Sequence, residues 1–376
     1  MTFFRIISVV ILWTFLTPVS AIDTLKIGED FEYFDIQEFG WIHLVKKHEL
    51  NFDRIKKLPD SAFESLKKTG IIFRPEKQVH WIKFYLKNTS EKSQKLMYEV
   101  QIPVINRVQF FAIKSNGEEI PYKLSGDDFQ FSERAIFHRN FLFPIELQPS
   151  ETQAFYVFAD NYAEGLRLRM KLFDQKVFNE RDQIESFFLT LFFGFLGCIC
   201  VFVLILTGMI RSRILIYFSI YCLAISTTLF AWIGNGFQYI WGAIPYFNDF
   251  SNYFFTYIAT ISLLAITRTY LNTKENFPRI DKTIAFIQYL LVFGLIYLFF
   301  YRQFEETIAA FMQSLGVVIQ LAYSALIILV SILSFQKTRN RNHLLFLSGF
   351  LFILSTNALR LLAHFKFIYI PFRLEY

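Results

Sequence analysis

From residue 187 to residue 367 the chain repeats one feature, an apolar run of some twenty residues followed by a short polar connection. A helix rises 1.5 Å per residue, so about 20 mostly apolar residues are needed to cross a hydrocarbon layer. Six runs meet that length: Phe187–Ile210, Ile214–Ile233, Tyr253–Leu271, Thr283–Tyr301, Thr307–Phe335 and Leu344–Phe367. A chain so built cannot fold as one water-soluble globule. Residues 181–376 are expected to form a transmembrane bundle of six helices, the fifth long enough to tilt or to extend past the bilayer.

Charge supplies the orientation. Residues 22–180 hold 23 Lys/Arg and 24 Asp/Glu, whereas 181–376 hold 14 basic and 8 acidic residues, so the net +6 comes from the apolar half. Its basic residues sit in alternate connections: Arg211 and Arg213, then Lys274, Arg279 and Lys282, then Lys337, Arg339 and Arg341. The other connections differ. Asn235–Asn252 has no basic residue, and Arg302 stands against Glu305 and Glu306. Basic loops stay cytoplasmic, which places the N-terminal half outside. Spread through short loops, this charge implies a lipid bilayer as partner and no nucleic acid.

Residues 1–21 independently imply export. Arg5, the apolar stretch Ile6–Leu16, Pro18 and the small residues Val19-Ser20-Ala21 have the layout of a signal peptide, the other reading being an uncleaved anchor.

Polar groups inside a bilayer are costly and therefore functional suspects. Gln320 in the fifth run and Thr356, Asn357 and Arg360 in the sixth are the candidates, the bland reading being that they bond between helices or snorkel. No Asp or Glu falls inside the six runs, which speaks against ion-coupled transport. Trp232, Trp241 and Tyr246 are expected in an outer aromatic belt, and Gly194 and Gly197 with Ala224 and Ser226 at a close helix crossing. Arg268 is expected to anchor at the inner interface.

The N-terminal half, residues 22–180, contains no Cys and must be held by its core. The six His show no spacing typical of a metal site, and no metal or cofactor is expected. Short β-rich segments recur at Val79–Leu86, Met97–Val104, Arg107–Ile113, Ala135–Leu147, Ala154–Ala159 and Leu166–Phe173. In the last, Leu166, Leu168, Met170 and Leu172 alternate with Arg167, Arg169 and Lys171, so one face is buried. This pattern predicts an all-β sandwich, with one short helix at Ser61–Lys68 capped by Asp60 or Ser61 and stopped by Gly70. Asn88-Thr89-Ser90 reads as a turn.

Six stretches carry a family resemblance: VHWIKFYLKN, ERAIFHRNFLFPIEL and YVFADNYAEGLRLRMKLFD in the first half, and GFLGCICVFVLILTGMIRSRILIYFSIYCLAIS, IGNGFQYIWG and YLNTKENFPRIDKTI in the second. Together they resemble the bacterial seven-transmembrane receptors with diverse intracellular signalling modules, over residues 25 to about 370. The resemblance implies a jelly-roll-like sandwich related to carbohydrate-binding domains, sensing a small molecule on a signal-transduction receptor of the bacterial inner membrane. Trp81, Lys83, Arg134, Arg139 and Asn140 match the family's patterned positions. An aromatic plate beside basic donors suits a sugar or an acidic solute. The alternative is that Trp81 is core and the arginines tie strands together. Lys83 stands where the family favours Arg, which removes a bidentate fork there.

The chain departs from that family in showing six apolar runs rather than seven. It also lacks a Gly-rich phosphate loop, a kinase-type His box and a paired acidic metal site, so it is not expected to be an enzyme. Two explanations follow: a truncated product, or a sensor that signals through a separate protein. The rival class is a transporter or accessory assembly protein whose sandwich docks a protein partner.

Overall fold

The computed structural model describes residues 22–46, 51–69, 78–161, 166, 168–300 and 306–351. The leader, most of the sixth run, and Thr356, Asn357 and Arg360 lie outside them. The chain divides into two compact units, Met1–Leu191 with Phe230–Asp249, and Phe192–Leu229 with Phe250–Tyr376.

The first unit holds a β-sandwich of strands β1 (Thr24–Ile27), β2 (Tyr33–Asp35), β3 (Trp41–Lys46), β4 (Glu64–Ser65), β5 (Gln78–Asn88), β6 (Gln94–Val100), β7 (Arg107–Lys114), β8 (Glu119–Pro121), β9 (Phe141–Leu147), β10 (Thr152–Asp160) and β11 (Met170–Asp174). One sheet runs β4-β3-β5-β10-β7-β8 and the other β2-β11-β6-β9. Pairing is antiparallel except where β1 lies parallel to β5. The length of β5 makes room for this. β3 pairs with residues Gln78–Lys83, and β1 with Tyr85–Asn88.

Alternation explains the core. Ile82, Phe84 and Leu86 of β5 meet Leu96, Tyr98 and Val100 of β6, and Leu166, Leu168, Met170 and Leu172 are all buried as their spacing predicts. At its centre Phe110 stacks on Tyr98 at 4.9 Å, Phe143 at 5.1 Å and Phe155 at 5.4 Å. Each such ring contributes about 1.5–3 kcal/mol by leaving water. The outer faces are covered too. Trp81, Phe111, Tyr156 and Phe158 pack with Ile55 and Phe52 of α1 (Phe52–Ile55), while Met97, Leu142 and Phe173 pack with Phe178.

Several segments depart from expectation: β6 ends at Val100 and β11 begins at Met170, short of the strands foreseen to Val104 and from Leu166. The helix foreseen over Ser61–Lys68 is broken into a 3-10 helix at Asp60–Ala62, strand β4 and the single-turn helix α2 (Leu66–Thr69). Phe63 belongs to the outer cluster and Leu66 to the inner core. A helix would put residues three apart on one face, so the chain must extend between them. The strand foreseen from Ala135 starts only at Phe141, because the Arg134 side chain gathers the preceding carbonyls into a loop. Asn88, read as a turn residue, is instead the last residue of β5 and pairs with Ile27, the strand ending there. It is fully buried, and its Nδ2 donates to the carbonyls of Lys92, Leu147 and Gln148.

His80 sets an acid limit on this unit. It is 5% exposed, and burial pulls its pKa down to about 4, opposed by a hydrogen bond to the Ala159 backbone. The unfolded chain takes up this proton near pH 6.5, while the native state refuses it until about pH 4. Stability is therefore unaffected above pH 6.5 and falls as pH drops, by about 3 kcal/mol in total. Urea unfolding of the full chain at pH 7 and pH 4.5 should show the loss, and His80→Gln should reduce it. An equal loss in that variant would assign it elsewhere.

The helices are α3 (Gln175–Ile210), α4 (Arg213–Trp232), α5 (Asn235–Tyr239), α6 (Pro245–Tyr270), α7 (Thr273–Asn276), α8 (Pro278–Leu298) and α9 (Glu306–Thr338). Among the described residues five helices are long and apolar enough to cross a membrane: α3, α4, α6, α8 and the Val318–Thr338 part of α9. Helical structure resumes at residues 341–351. α3 starts twelve residues before the apolar run at Phe187, because Val177 and Phe178 find apolar partners on the sandwich.

Within the second unit, a side chain built on Gly194 or Gly197 would meet nothing among the described residues, so of the expected crossing only the α4 partner Ser226 is seen to take part. α3 and α4 touch instead through Thr207 and Ser219, oxygens 2.7 Å apart, and through Cys200 and Ser226 at 3.6 Å. The close approach is at Gly294 of α8, where an added Cβ would lie 2.8 Å from the Tyr257 ring of α6. Gln320 is half-buried on α9.

Arg268 is more than an interface anchor. Its Nε and Nη2 each donate to one Asp281 oxygen at 2.9 Å, and Nη1 donates to Gln288 Oε1 at 2.9 Å. Thr273 also donates to Asp281, at 2.6 Å. The tie joins α6 to α8 across the turn that sequence distance obscured. Arg268→Ala should cost about 2 kcal/mol, with Arg268→Lys recovering part of it, by thermal unfolding in nanodiscs. A full recovery by Lys would mean that the fork is irrelevant.

Candidate functional site

The five binding candidates separate into two groups. Trp81 and Lys83 lie on the outer face of the first sheet, whereas Arg134, Arg139 and Asn140 gather in the loop before β9.

Trp81 is 3% exposed and covered by Phe52 at 5.9 Å and Phe158 at 5.3 Å. Lys83 is equally buried, and its ammonium donates to Asp60 Oδ1 at 2.6 Å. It sits 5.2–5.4 Å from the rings of Phe63, Tyr85 and Tyr156. Burial alone would lower its pKa, but hydrogen bonds with Asp60, Tyr85 and Tyr156 outweigh burial and hold it above the ordinary value. The lysine is thus fixed by partners within the sandwich.

The second group is built on Arg134. Its guanidinium lies 4.4 Å from the Phe131 ring and 4.1 Å from that of Phe141, and its Nη1 donates to the carbonyls of His138 at 3.1 Å and Arg139 at 2.8 Å. This folds residues 134–139 into a tight loop. Burial draws the Arg134 pKa down to about 9, and the charge of Asp127 opposes it. The group stays cationic at neutral pH, but its charge is poorly solvated. Beside it lies a cavity of about 220 Å³ lined by Tyr122, Lys123, Ser125, Arg134, Asn140 and Phe141 among others.

Two residues of the same loop hold the start of α3, and a third braces them. Arg139 Nη2 meets Glu185 Oε1 at 2.7 Å, and His138 Nε2 donates to Asp182 Oδ1 at 3.0 Å. The Asn140 N–H donates to His138 Nδ1 at 3.1 Å, which fixes the ring proton on Nε2. Asn140 Nδ2 donates to Glu99 Oε1 at 2.7 Å, and Arg181 Nη1 reaches Glu99 Oε2 at 2.8 Å. Arg181 also contacts Glu185, closing the network. Glu99 is only 2% exposed, and these donors satisfy its buried oxygens. Sequence reasoning missed Glu99, Arg181, Asp182 and Glu185. The available signal was an acid at an outward position of the apolar strand LMYEV.

The loop also meets residues 230–249. The Phe131 N–H donates to the Gly242 carbonyl at 2.8 Å, and the Phe131 and Phe237 rings lie 5.5 Å apart. Gly234 has φ +90°, and an added Cβ there would collide with Pro103. Trp241, expected in the aromatic belt, is instead 6% exposed. Its ring packs where a Gly236 side chain would stand, and its Nε1 donates to Asn248 Oδ1 at 3.0 Å. Asn248 in turn donates to Asp127 at 3.4 Å. Trp232, by contrast, is 53% exposed. Among the described residues no group of three His, Cys, Asp or Glu gathers as a metal site.

Among curated proteins no relative matches the chain. Two family models do. Residues 42–174 match the model described as 7TMR-DISM extracellular 2, and residues 185–376 match that described as 7TM diverse intracellular signalling. The first covers the sandwich from β3 to β11, and the second covers just over half of the chain. The sandwich is therefore extracellular and the helices contact lipid. In domain order, membrane architecture and matched length, this chain belongs to the 7TMR-DISM family of membrane sensors.

Proposed function

We propose that the chain is a signal-transduction receptor of a bacterial inner membrane, exported by the leader at residues 1–21. In this reading its jelly-roll-like, carbohydrate-binding-like sandwich binds a small solute, a sugar or an acid, and the binding biases α3. One observation carries the reading: the loop Arg134–Asn140 is at once a wall of the sandwich cavity and the anchor of the first turns of α3. A solute that shifts this loop changes the partners of Asp182 and Glu185. Such a change is transmissible because α3 continues unbroken into its apolar run. The residues from 22 to 351 bind and transmit in this scheme and carry out no catalysis.

Hydrogen exchange on the full chain in nanodiscs tests it. Sugars and carboxylates that raise the melting temperature should also alter exchange at residues 175–191. A solute that binds without altering exchange there would refute transmission through this loop. Co-purification of a protein partner with no solute effect would favour the docking class instead.

A further inference from the structure

Arg268 shows how this protein grips a carboxylate with a guanidinium, each of Nε and Nη2 reaching one oxygen of Asp281. Arg134 leaves the same edge underused. Its Nη1 is taken by two carbonyls, but Nη2 has only the Pro103 carbonyl at 3.4 Å, a long contact. Its Nε is buried with no hydrogen-bond partner among the described residues. The charge of Asp127 acts on it and opposes the effect of burial. A buried donor on a cation without an acceptor is costly, and an arriving carboxylate oxygen would recover that cost. A neutral sugar hydroxyl would not supply the opposite charge.

The cavity fits this chemistry. Its 220 Å³ falls below the range of roughly 300–1,000 Å³ usual for drug-sized ligands, so it admits a compound of a few carbons. Lys123 adds a second cation at the wall, Ser125 a hydroxyl, and Phe141 and Phe143 an apolar surface for a short carbon chain.

We infer that the cavity takes a small carboxylate, clasped through Nε and Nη2 of Arg134. This names the ligand class for the receptor reading above and rests on it. The Nε lies beneath the surface, so the clasp closes only if the loop gives way. The carbonyls that release or follow Nη1 belong to His138 and Arg139, whose side chains hold Asp182 and Glu185. Recognition and transmission then share the same few atoms.

The test uses the full chain in nanodiscs, titrated calorimetrically with acetate, succinate, inorganic phosphate and glucose. Succinate or acetate should bind wild type, with affinity reduced roughly 10- to 100-fold in Arg134→Gln and reduced less in Arg134→Lys, which keeps the charge but loses the fork. Absence of carboxylate binding to wild type overturns the inference, whatever the variants do. Equal binding by Arg134→Gln, or phosphate binding as tightly as succinate, also overturns it. Glucose binding that alters exchange at residues 175–191 would sink the carboxylate assignment and leave the receptor reading standing. Carboxylate binding lost in Arg134→Gln but without any change at 175–191 would do the reverse.

Discussion

Glu99→Ala is expected to lower stability by about 3 kcal/mol and to free the first turns of α3. The carboxylate is almost wholly buried and accepts from Asn140 at 2.7 Å, Gln101 at 2.8 Å and Arg181 at 2.8 Å. Its removal leaves Arg181 with Glu185 and the charge of Asp182, and strands the buried Asn140 amide. Most of the cost is the penalty for those orphaned partners. The double variant with Arg181→Ala should therefore lose less than the sum of the single variants. Thermal unfolding in nanodiscs gives the energies, and hydrogen exchange at residues 175–191 reports the helix. Destabilisation with unchanged exchange there would mean that the network supports the sandwich but does not hold α3.

Gly126→Ala should do comparable damage from a different cause. An added Cβ would fall on the Asn106 carbonyl oxygen, 2.6 Å from its carbonyl carbon and 2.9 Å from the Arg107 Cα. All three are backbone atoms, so no side chain can swing aside. The flanking bonds hold the strands in place, with Val108 N–H to Ser125 O at 2.7 Å and Asp127 N–H to Ile105 O at 2.8 Å. The expected loss is about 3 kcal/mol, at the upper end for overpacking. Gly126 also lies between Ser125 of the cavity wall and Asp127, the partner of Asn248. Solute binding should thus weaken along with stability. A variant that melts like wild type would show that the strands slide apart easily at this point.

What could be read from the sequence follows physical period. The apolar runs are legible because crossing a bilayer demands length, and Leu166 to Leu172 because a half-buried strand demands alternation. Ser61–Lys68 misleads because its residues suit a helix while Phe63 and Leu66 are drawn to opposite sides of a sheet. Trp241 misleads because an aromatic beside a span suits the belt, and only Gly236 provides space for it to pack inward. The ionic network is nearly invisible, since Glu99 and Arg181 are 82 positions apart and nothing periodic links them. Of the five binding candidates, their family pattern brought them together on the page. The fold sends Trp81 and Lys83 to one sheet face and Arg134, Arg139 and Asn140 to the loop of the other sheet.

The strands that end the two sheets bear on how such molecules live side by side. β4 has two residues, β2 and β8 three each, β1 beside β5 four, and the seven-residue β9 carries Pro144 in place of a backbone donor. Open strand borders invite another chain to add on, and short or proline-bearing borders refuse it. Receptors confined to a membrane plane meet each other far more often than the same number in bulk solution. With these borders the outer domains offer a second copy little edge on which to add a further strand.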